Sequence, residues 1–276
     1  MKENIKIKEV VLKVSNLENS VKFYQTYVGL ELISNENGIV SMGVNGEVLL
    51  KMYVPEDVVV SNNQFTGLYH VAFLLPTEND LGRLLMHYQE LGFYKVGAGD
   101  HIYSQALYIY DPDRNGIEIY ADRDKSKWDY DAEGKLSAAT LSVDVDRLLT
   151  LTEGKKWEGM PSGSKIGHVH LQVKDIKKVK EFYVDFLGMQ IMTEFPTALF
   201  VSKDGYHHHV GSNIWQGTRL QALPDNYTGL DYYTIIASDY EKYLTDVKKS
   251  AFQYKIEPEG IKIIDDNHIK IRIVKG

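Results

Sequence analysis

The chain has 276 residues, of which 43% are hydrophobic and 25% are charged, and its formal net charge at pH 7 is -7. This composition suits a globular protein with a sizeable core, and the negative charge argues against a nucleic-acid partner, which would need clustered Lys and Arg. The absence of Cys excludes disulfides, thiolate catalysis and cysteine-based metal sites.

The N-terminal segment predicts no targeting signal. It reads MKENIKIKEVV, which is charged and lacks the apolar stretch of a signal peptide. No apolar run approaches the roughly 18 to 20 residues that cross a bilayer. We therefore expect a cytoplasmic protein without a membrane partner.

The first elements in chain order form a unit that recurs later in the sequence. Residues 10–32 read VVLKVSNLENSVKFYQTYVGLEL, and residues 169–191 read VHLQVKDIKKVKEFYVDFLGMQI. Each copy begins with an alternating, Val-rich strand, continues with Asn16 or Asp175 as a helix N-cap, and ends its helix at Gly29 or Gly188. Three short apolar segments follow each helix. The unit is therefore β-α-β-β-β.

A second unit occurs in each half of the chain. Thr66-Gly67-Leu68 introduces the strand that contains HVAFLL, and a helix is predicted from Glu78 to Leu91. Thr228-Gly229-Leu230 introduces the corresponding unit in the second half of the chain, with a helix near Tyr240 to Ser250. The sequence thus predicts an α+β fold of four β-α-β-β-β modules that form two cupped mixed sheets. The modules lie at about 7–54 and 66–121 in the segment 1–121, and at about 165–212 and 228–276 in the segment 165–276. Residues 122–164 form a linker, which leaves open which modules pair.

The second module carries the most specific motif. Gly99-Asp100-His101 is followed by Leu107-Tyr108 and by IYDPDRNGIE, which ends at Glu118 in its last strand. Together with the repeat, this motif resembles the vicinal oxygen chelate superfamily, and within it the type I extradiol dioxygenases of the catechol 2,3-dioxygenase type. Arg114 departs from the motif, because the family has Gly or Pro there. An Arg is tolerated at this turn if the backbone does not need a positive φ.

The resemblance implies a ring-cleaving dioxygenase with one divalent metal. Its substrates would be dioxygen and a small aromatic diol, and its metal Fe(II) first and Mn(II) second. His70 and Glu118 fall on the family's ligand positions. His101 falls on the acid–base position, where a His that titrates near neutrality can move protons. Tyr108 falls on the position of a Tyr that hydrogen-bonds the substrate, although an inward-facing core Tyr is an equal alternative.

The third metal ligand depends on which modules share the site. If modules two and three pair, His168 in GHVHLQV completes a set of two His and one carboxylate, as in non-heme Fe(II) oxygenases. If modules one and two pair, Glu9 is the alternative ligand. We favour His168. In GYHHHVGSN, strand alternation would place His207 and His209 on one face, where we expect them to contact the substrate.

Module four has lost its donors, since Tyr232 stands where module two has His70, and Lys270 stands where it has Glu118. A Lys ammonium has no lone pair for a metal, so we expect a single metal site. The alternatives are a glyoxalase-like or thiol-transfer enzyme with Zn(II) or Ni(II), and a non-catalytic protein of this fold that binds an aromatic compound or an antibiotic. Members of the family often self-associate through the edges of their sheets. A homo-oligomer is therefore a further alternative to a monomer.

Overall fold

The structure, a computed structural model, describes residues 4–62 and 64–276. Its first half contains two modules of the same order of elements. Module one consists of β1 (Ile5–Lys13), α1 (Leu17–Phe23), β2 (Glu31–Glu36), β3 (Ile39–Val44) and β4 (Glu47–Tyr53). Module two consists of β5 (Gly67–Leu75), α2 (Glu78–Glu90), β6 (Gly97–Asp100), β7 (Ser104–Tyr110) and β8 (Gly116–Asp122).

A connecting segment with the short helix α3 (Val145–Thr150) leads into the second half. Module three consists of β9 (Lys165–Gln172), α4 (Ile176–Val179), β10 (Gln190–Phe195), β11 (Ala198–Ser202) and β12 (Val210–Asn213). Module four consists of β13 (Gly229–Ala237), α5 (Tyr240–Val247), β14 (Gln253–Glu257), β15 (Gly260–Ile264) and β16 (Lys270–Lys275). The predicted α+β fold of four modules is confirmed. The longest α-helix in the described residues, α2, has 13 residues, and none of these helices could span a bilayer.

The repeated helices begin and end as their sequences predict. The side chain of Asn16 accepts a hydrogen bond from the backbone N–H of Asn19, and Asp175 accepts one from Lys177. Both helices widen into π-helical turns (Tyr24–Val28 and Lys180–Phe186). Gly29 and Gly188 then adopt left-handed φ angles of 83° and 67°, which end the helices at little steric cost.

The sixteen strands form two eight-stranded mixed sheets, and each sheet combines modules from both halves of the chain. The first sheet has the order β14-β15-β16-β13-β1-β4-β3-β2, and the second has the order β10-β11-β12-β9-β5-β8-β7-β6. Antiparallel pairing of β1 with β13 and of β5 with β9 joins the modules. The favoured pairing of modules two and three is confirmed. Consequently, the segments 1–121 and 165–276 each contribute four strands to both sheets.

The Asp-Pro turn of module two fastens the second sheet to module one. The Asp111 carboxylate accepts hydrogen bonds from the backbone N–H groups of Asp113 and Asn115 and from the hydroxyl of Tyr24. Arg114 in this turn has a φ of 67°. The turn therefore does need a positive φ at this position. The sequence-based expectation tolerated an Arg here only if the φ were not positive, and that condition is not met.

The segment 122–164 packs across the second sheet. Its helix α3 lies against α2, where the carbonyl of Leu148 sits so close to Gly82 that a Cβ there would clash. The backbone of Leu136 bonds that of Met192 in module three, and Leu141 bridges Asp100 in module two. The segment thus spans both modules of the second sheet.

Candidate metal centre and active site

Three adjacent strands of the second sheet bring His70, Glu118 and His168 together. Ala72 on β5 pairs with Glu118 on β8 and with His168 on β9. Cross-strand partners share a face of a sheet, as do residues two apart on a strand, so His70 points to the same side. The Nε2 atom of His70 lies 2.9 Å from Oε2 of Glu118, and that of His168 lies 3.2 Å from it. The two Nε2 atoms are 3.3 Å apart.

These donor atoms fit a divalent metal ion. Ligands at about 2.1 Å from a common ion are about 3.0 Å apart at right angles and about 3.4 Å apart at a tetrahedral angle. The separations of 3.2 and 3.3 Å lie within this range, and the separation of 2.9 Å lies just below it. Two neutral imidazoles and one carboxylate are the donors of non-heme Fe(II) oxygenases. Within the described residues, a second group that could hold a metal shares His168 and adds His207 and His208, but it contains no carboxylate.

The charge states of His168 and Glu118 suit metal binding. Burial lowers the pKa of His168 to about 4, against the raising effect of the Glu118 charge, so its ring is neutral at pH 7. Burial alone would raise the pKa of Glu118, but its interactions with His168 and His70 outweigh that and hold the pKa well below the usual range. His168 therefore offers a neutral nitrogen to a cation, and Glu118 offers an anionic oxygen.

Glu9, the alternative third ligand, lies in the first sheet and not at this centre. Its carboxylate pairs with the ammonium of Lys51 at 2.9 Å and accepts a hydrogen bond from Thr234 at 3.2 Å. The alternative is wrong, because β1 joins β13 and β4 and not β5. On the same sheet, the ammonium of Lys270 forms an ion pair with the carboxylate of Asp225 at 2.7 Å. It therefore does not act as a metal ligand. Both groups of possible metal donors in the described residues belong to the second sheet.

His101 and Tyr108 lie beside the three donors. The Nε2 atom of His101 is 2.6 Å from the hydroxyl of Tyr108, and its Nδ1 atom is 3.2 Å from the carbonyl of Ala139. Since a carbonyl only accepts, Nδ1 carries the proton and Nε2 accepts from Tyr108. Tyr108 pairs with Glu118 across β7 and β8. Burial, followed by the charge of Glu118, raises the pKa of Tyr108 well above its ordinary value.

The loop around His101 is strained and firmly held. Ile102 has a φ of 73°, which is rare for a β-branched residue. The guanidinium of Arg123 makes two 2.6 Å contacts with the carboxylate of Asp100 and lowers the pKa of Asp100 to about 2. Strain of this kind is concentrated at functional sites, and here it fixes the position of His101.

The three consecutive His residues of module three precede strand β12, which begins at Val210. The expected alternation of His207 and His209 on one face of a strand is wrong, because these residues lie in the irregular segment before β12. His209 bonds Ser202 at 2.9 Å, and neither it nor His207 is among the residues that line the cavity beside the metal donors. His208 does line this cavity, with its ring centre 4.1 Å from that of His168.

A chain of hydrogen bonds sets the tautomer of His208. The Asp122 carboxylate lies 3.1 Å from Nε2 of His207, whose Nδ1 is 2.7 Å from Nδ1 of His208. The carboxylate accepts, so His207 is protonated at Nε2 and accepts at Nδ1 from His208. A neutral His208 then has its lone pair at Nε2, and burial lowers the pKa of His208 well below the ordinary value. His208 is therefore a neutral base at the cavity wall.

The cavity has a volume of about 960 Å³ and is largely aromatic. His170, two residues after His168, lies in its wall with its ring centre 4.9 Å from that of His70. It accepts a 3.0 Å hydrogen bond from the Asn213 amide, and burial lowers the pKa of His170 well below its usual value. The sequence did contain a signal for His170, because residues two apart on a strand share a face and His170 follows His168 at that spacing. For His208 there was no such signal, because it lies outside a strand.

The sequence and the fold were compared with those of known proteins. The sequence model of the Glyoxalase/Bleomycin resistance protein/Dioxygenase superfamily matches residues 6–119 and 165–215. A catechol-2,3-dioxygenase of Bacillus subtilis (strain 168) is 40% identical over 235 residues, which cover 84% of this chain and 82% of that protein. The metallothiol transferase FosB of Lysinibacillus sphaericus (strain C3-41) is 27% identical over 135 residues, 47% of this chain and 92% of that protein.

Solved structures with similar folds have low sequence identity. A putative dioxygenase from Bacillus subtilis subsp. subtilis str. 168 superposes with a TM-score of 0.62 at 11% identity, covering 100% of this chain and 86% of that chain. Glyoxalase I from Zea mays superposes with a TM-score of 0.57 at 12% identity, covering 99% of this chain and 93% of that chain. These two likenesses concern the fold alone.

Proposed function

This chain belongs to the Glyoxalase/Bleomycin resistance protein/Dioxygenase superfamily, and we propose that it is an extradiol dioxygenase that opens a catechol-like ring with dioxygen. The observation that carries the proposal is the convergence of His70, Glu118 and His168 at separations of 2.9 to 3.3 Å, with further proton-handling residues around them. The catechol-2,3-dioxygenase relative supports this reaction.

The three donors would hold Fe(II), with Mn(II) as the second choice. Such an ion, when bound, supplies open coordination positions for a diol and dioxygen and the electrons that activate dioxygen. The carboxylate of Glu118 would compensate part of its charge, and the buried imidazoles of His70 and His168 would supply the nitrogen ligands. All three side chains lie on strands, which keeps their separations fixed.

The surrounding residues would bind the diol and move its protons. His208 presents a lone pair at Nε2 and would accept a proton from one hydroxyl group of the substrate. Tyr108 would orient the diol through its hydroxyl oxygen, while His101, hydrogen-bonded to that hydroxyl, exchanges the proton. A positioned acid–base group of this kind contributes about 10²–10⁴-fold to a rate.

A glyoxalase-like or thiol-transfer reaction with Zn(II) or Ni(II) is the second candidate, because a metallothiol transferase is among the relatives. That relative matches 47% of this chain, whereas the dioxygenase matches 84%. A non-catalytic binding protein is disfavoured, because three metal donors and the His101–Tyr108 pair at 2.6 Å serve no purpose in simple sequestration.

The test is metal analysis of anaerobically purified protein together with dioxygen uptake. The protein is reconstituted separately with Fe(II), Mn(II), Zn(II) and Ni(II), and each form is supplied with catechol. We expect about one metal ion per chain and dioxygen consumption with Fe(II) or Mn(II), with both oxygen atoms in a ring-opened product. Protein that binds zinc and stays inert to catechol after iron reconstitution would refute the proposal.

A further inference from the structure

The cavity extends well beyond the space that a single-ring diol requires. Its volume of about 960 Å³ lies at the upper end of the range for pockets that take drug-sized ligands. The metal donors and His208 occupy one part of its wall. The rest of the wall must therefore face either water or a substituent of the substrate.

Aromatic side chains continue from the metal donors toward the mouth of this cavity. The ring of His170, next to His70, is 5.4 Å from the rings of both Phe200 and Trp215. Trp215 in turn meets Tyr69 edge to face at 5.2 Å. Its indole N–H donates to Thr197 at 3.2 Å, which fixes the ring. We call Tyr69, Phe195, Phe200 and Trp215 the aromatic wall.

Part of the aromatic wall is open to solvent. Phe195 is 45% exposed and Trp215 is 49% exposed. Tyr94 and Tyr110, which line the same cavity, are exposed at 83% and 63%. Exposed aromatic surface that is grouped around one cavity marks a binding site more often than a structural feature.

The cavity wall offers almost no charge to a substituent. Of the residues that line it, Lys95 and Glu118 are the formally charged ones. Glu118 belongs to the metal centre, and Lys95 lies exposed at the mouth. No Arg is present to grip a carboxylate with two parallel hydrogen bonds.

We propose that the aromatic wall is a subsite for a large apolar substituent, so that the preferred substrates are aryl-substituted catechols and not carboxylated ones. This inference rests on the proposed function and adds to it the class of substrate. An added phenyl ring would be buried against Trp215 and Phe200, next to the metal centre. Burial of that much apolar surface is expected to tighten binding about 10- to 100-fold relative to catechol.

The experiment compares catechol, 2,3-dihydroxybiphenyl and 2,3-dihydroxybenzoate on the complete protein. Dissociation constants are measured by Trp fluorescence on the zinc-loaded protein under anaerobic conditions, and kcat/KM by dioxygen uptake on the Fe(II) form. We expect the biphenyl to bind about 10- to 100-fold more tightly than catechol, and the benzoate no more tightly than catechol. Trp215→Ala should lower the preference for the biphenyl over catechol about tenfold. Tyr254→Ala, which removes a similarly exposed aromatic ring from the first sheet, should leave the preference unchanged.

The outcomes separate this inference from the proposed function. Dioxygen uptake without a biphenyl preference, or a preference that Trp215→Ala leaves intact, would overturn the subsite while the dioxygenase stands. Preference for the benzoate would also overturn it. Tight biphenyl binding that depends on Trp215, in a protein that consumes no dioxygen with any metal, would retain the subsite and reject the dioxygenase.

Discussion

The Nε2 atoms of His70 and His168 face each other at 3.3 Å, although 98 positions separate these residues in the chain. The pairing of β5 with β9 makes this contact possible. Two imidazole nitrogens at this distance favour a shared proton or a cation between them. Glu118 Oε2 lies within 3.2 Å of both nitrogens, so a divalent ion satisfies all three atoms.

Removal of His168 should abolish metal retention. His168→Ala deletes a ligand, and the loss of affinity should exceed the 10- to 100-fold that residues behind the ligands typically contribute. Metal content per chain after anaerobic desalting is the measurement. Glu9→Gln is the matched control, since it removes a carboxylate from the first sheet, and it should keep the metal. The reverse result would move the site to the first sheet.

Replacement of His101 should slow turnover without loss of metal. His101→Asn removes the partner of the Tyr108 hydroxyl, so proton exchange at the substrate should slow by about 10²–10⁴-fold. Dioxygen uptake at saturating catechol gives kcat, and metal analysis of the same sample gives occupancy. Metal loss would instead identify His101 as a ligand, whereas unchanged turnover would leave it without a role in the reaction.

Asp122 should act through His207 on the tautomer of His208. In Asp122→Asn, the amide can donate to His207, which would reverse both imidazole bonds and place a proton on Nε2 of His208. We expect kcat to fall at least about tenfold with unchanged metal content, and the imidazole ¹⁵N shifts of His208 to report the other tautomer. Asp124→Asn, an exposed change two residues later, is the control. Unaltered ¹⁵N shifts with reduced kcat would contradict the relay.

The left-handed backbone at Arg114 should cost stability. An L-residue in this conformation is disfavoured by about 1–2 kcal/mol, of which a Gly recovers only part because it loses more entropy on folding. Arg114→Gly should therefore raise the free energy of unfolding by about 0.5–1 kcal/mol in urea titrations. Arg114→Ala keeps the unfavourable φ and should bring no gain. An equal gain in both variants would point to the exposed side chain instead of the backbone.

The buried Asp265 should make stability depend on pH. Burial raises its pKa from 3.8 to about 7, and its Oδ2 atom has no hydrogen-bond partner among the described residues. Because the folded pKa is the higher one, the stability from this group is fully present below about pH 4 and is lost as the pH rises through 7. From pH 5 to 8.5, the wild-type free energy of unfolding should fall by roughly 2–3 kcal/mol more than that of Asp265→Asn. Asp266→Asn should keep the wild-type slope, and an identical slope in Asp265→Asn would refute the assignment.

Local patterns were sufficient to predict the modules and the types of residue at the centre. The caps at Asn16 and Asp175 and the glycines that end the helices depend on neighbours within a few positions. The resemblance of the motif around Glu118 assigned roles to His101 and Tyr108, and the structure places the two side chains 2.6 Å apart. The orientation of His207, His208 and His209 was predicted wrongly from the sequence. Strand alternation does not apply to these residues, because they precede β12.

The sequence by itself determined four β-α-β-β-β modules, their helix ends, and a second module that carries donors while the fourth has lost them. Only the tertiary structure decided that β5 pairs with β9 and β1 with β13, which brings His168 to His70 and leaves Glu9 with Lys51. The reason is that each module has the same alternating pattern on its first strand, so either pairing would satisfy the local periodicity. The choice between them depends on contacts that are distant in the chain. The same contacts assembled the aromatic wall, whose members come from three strands and from the turn after β12. No local pattern predicts that they share a cavity.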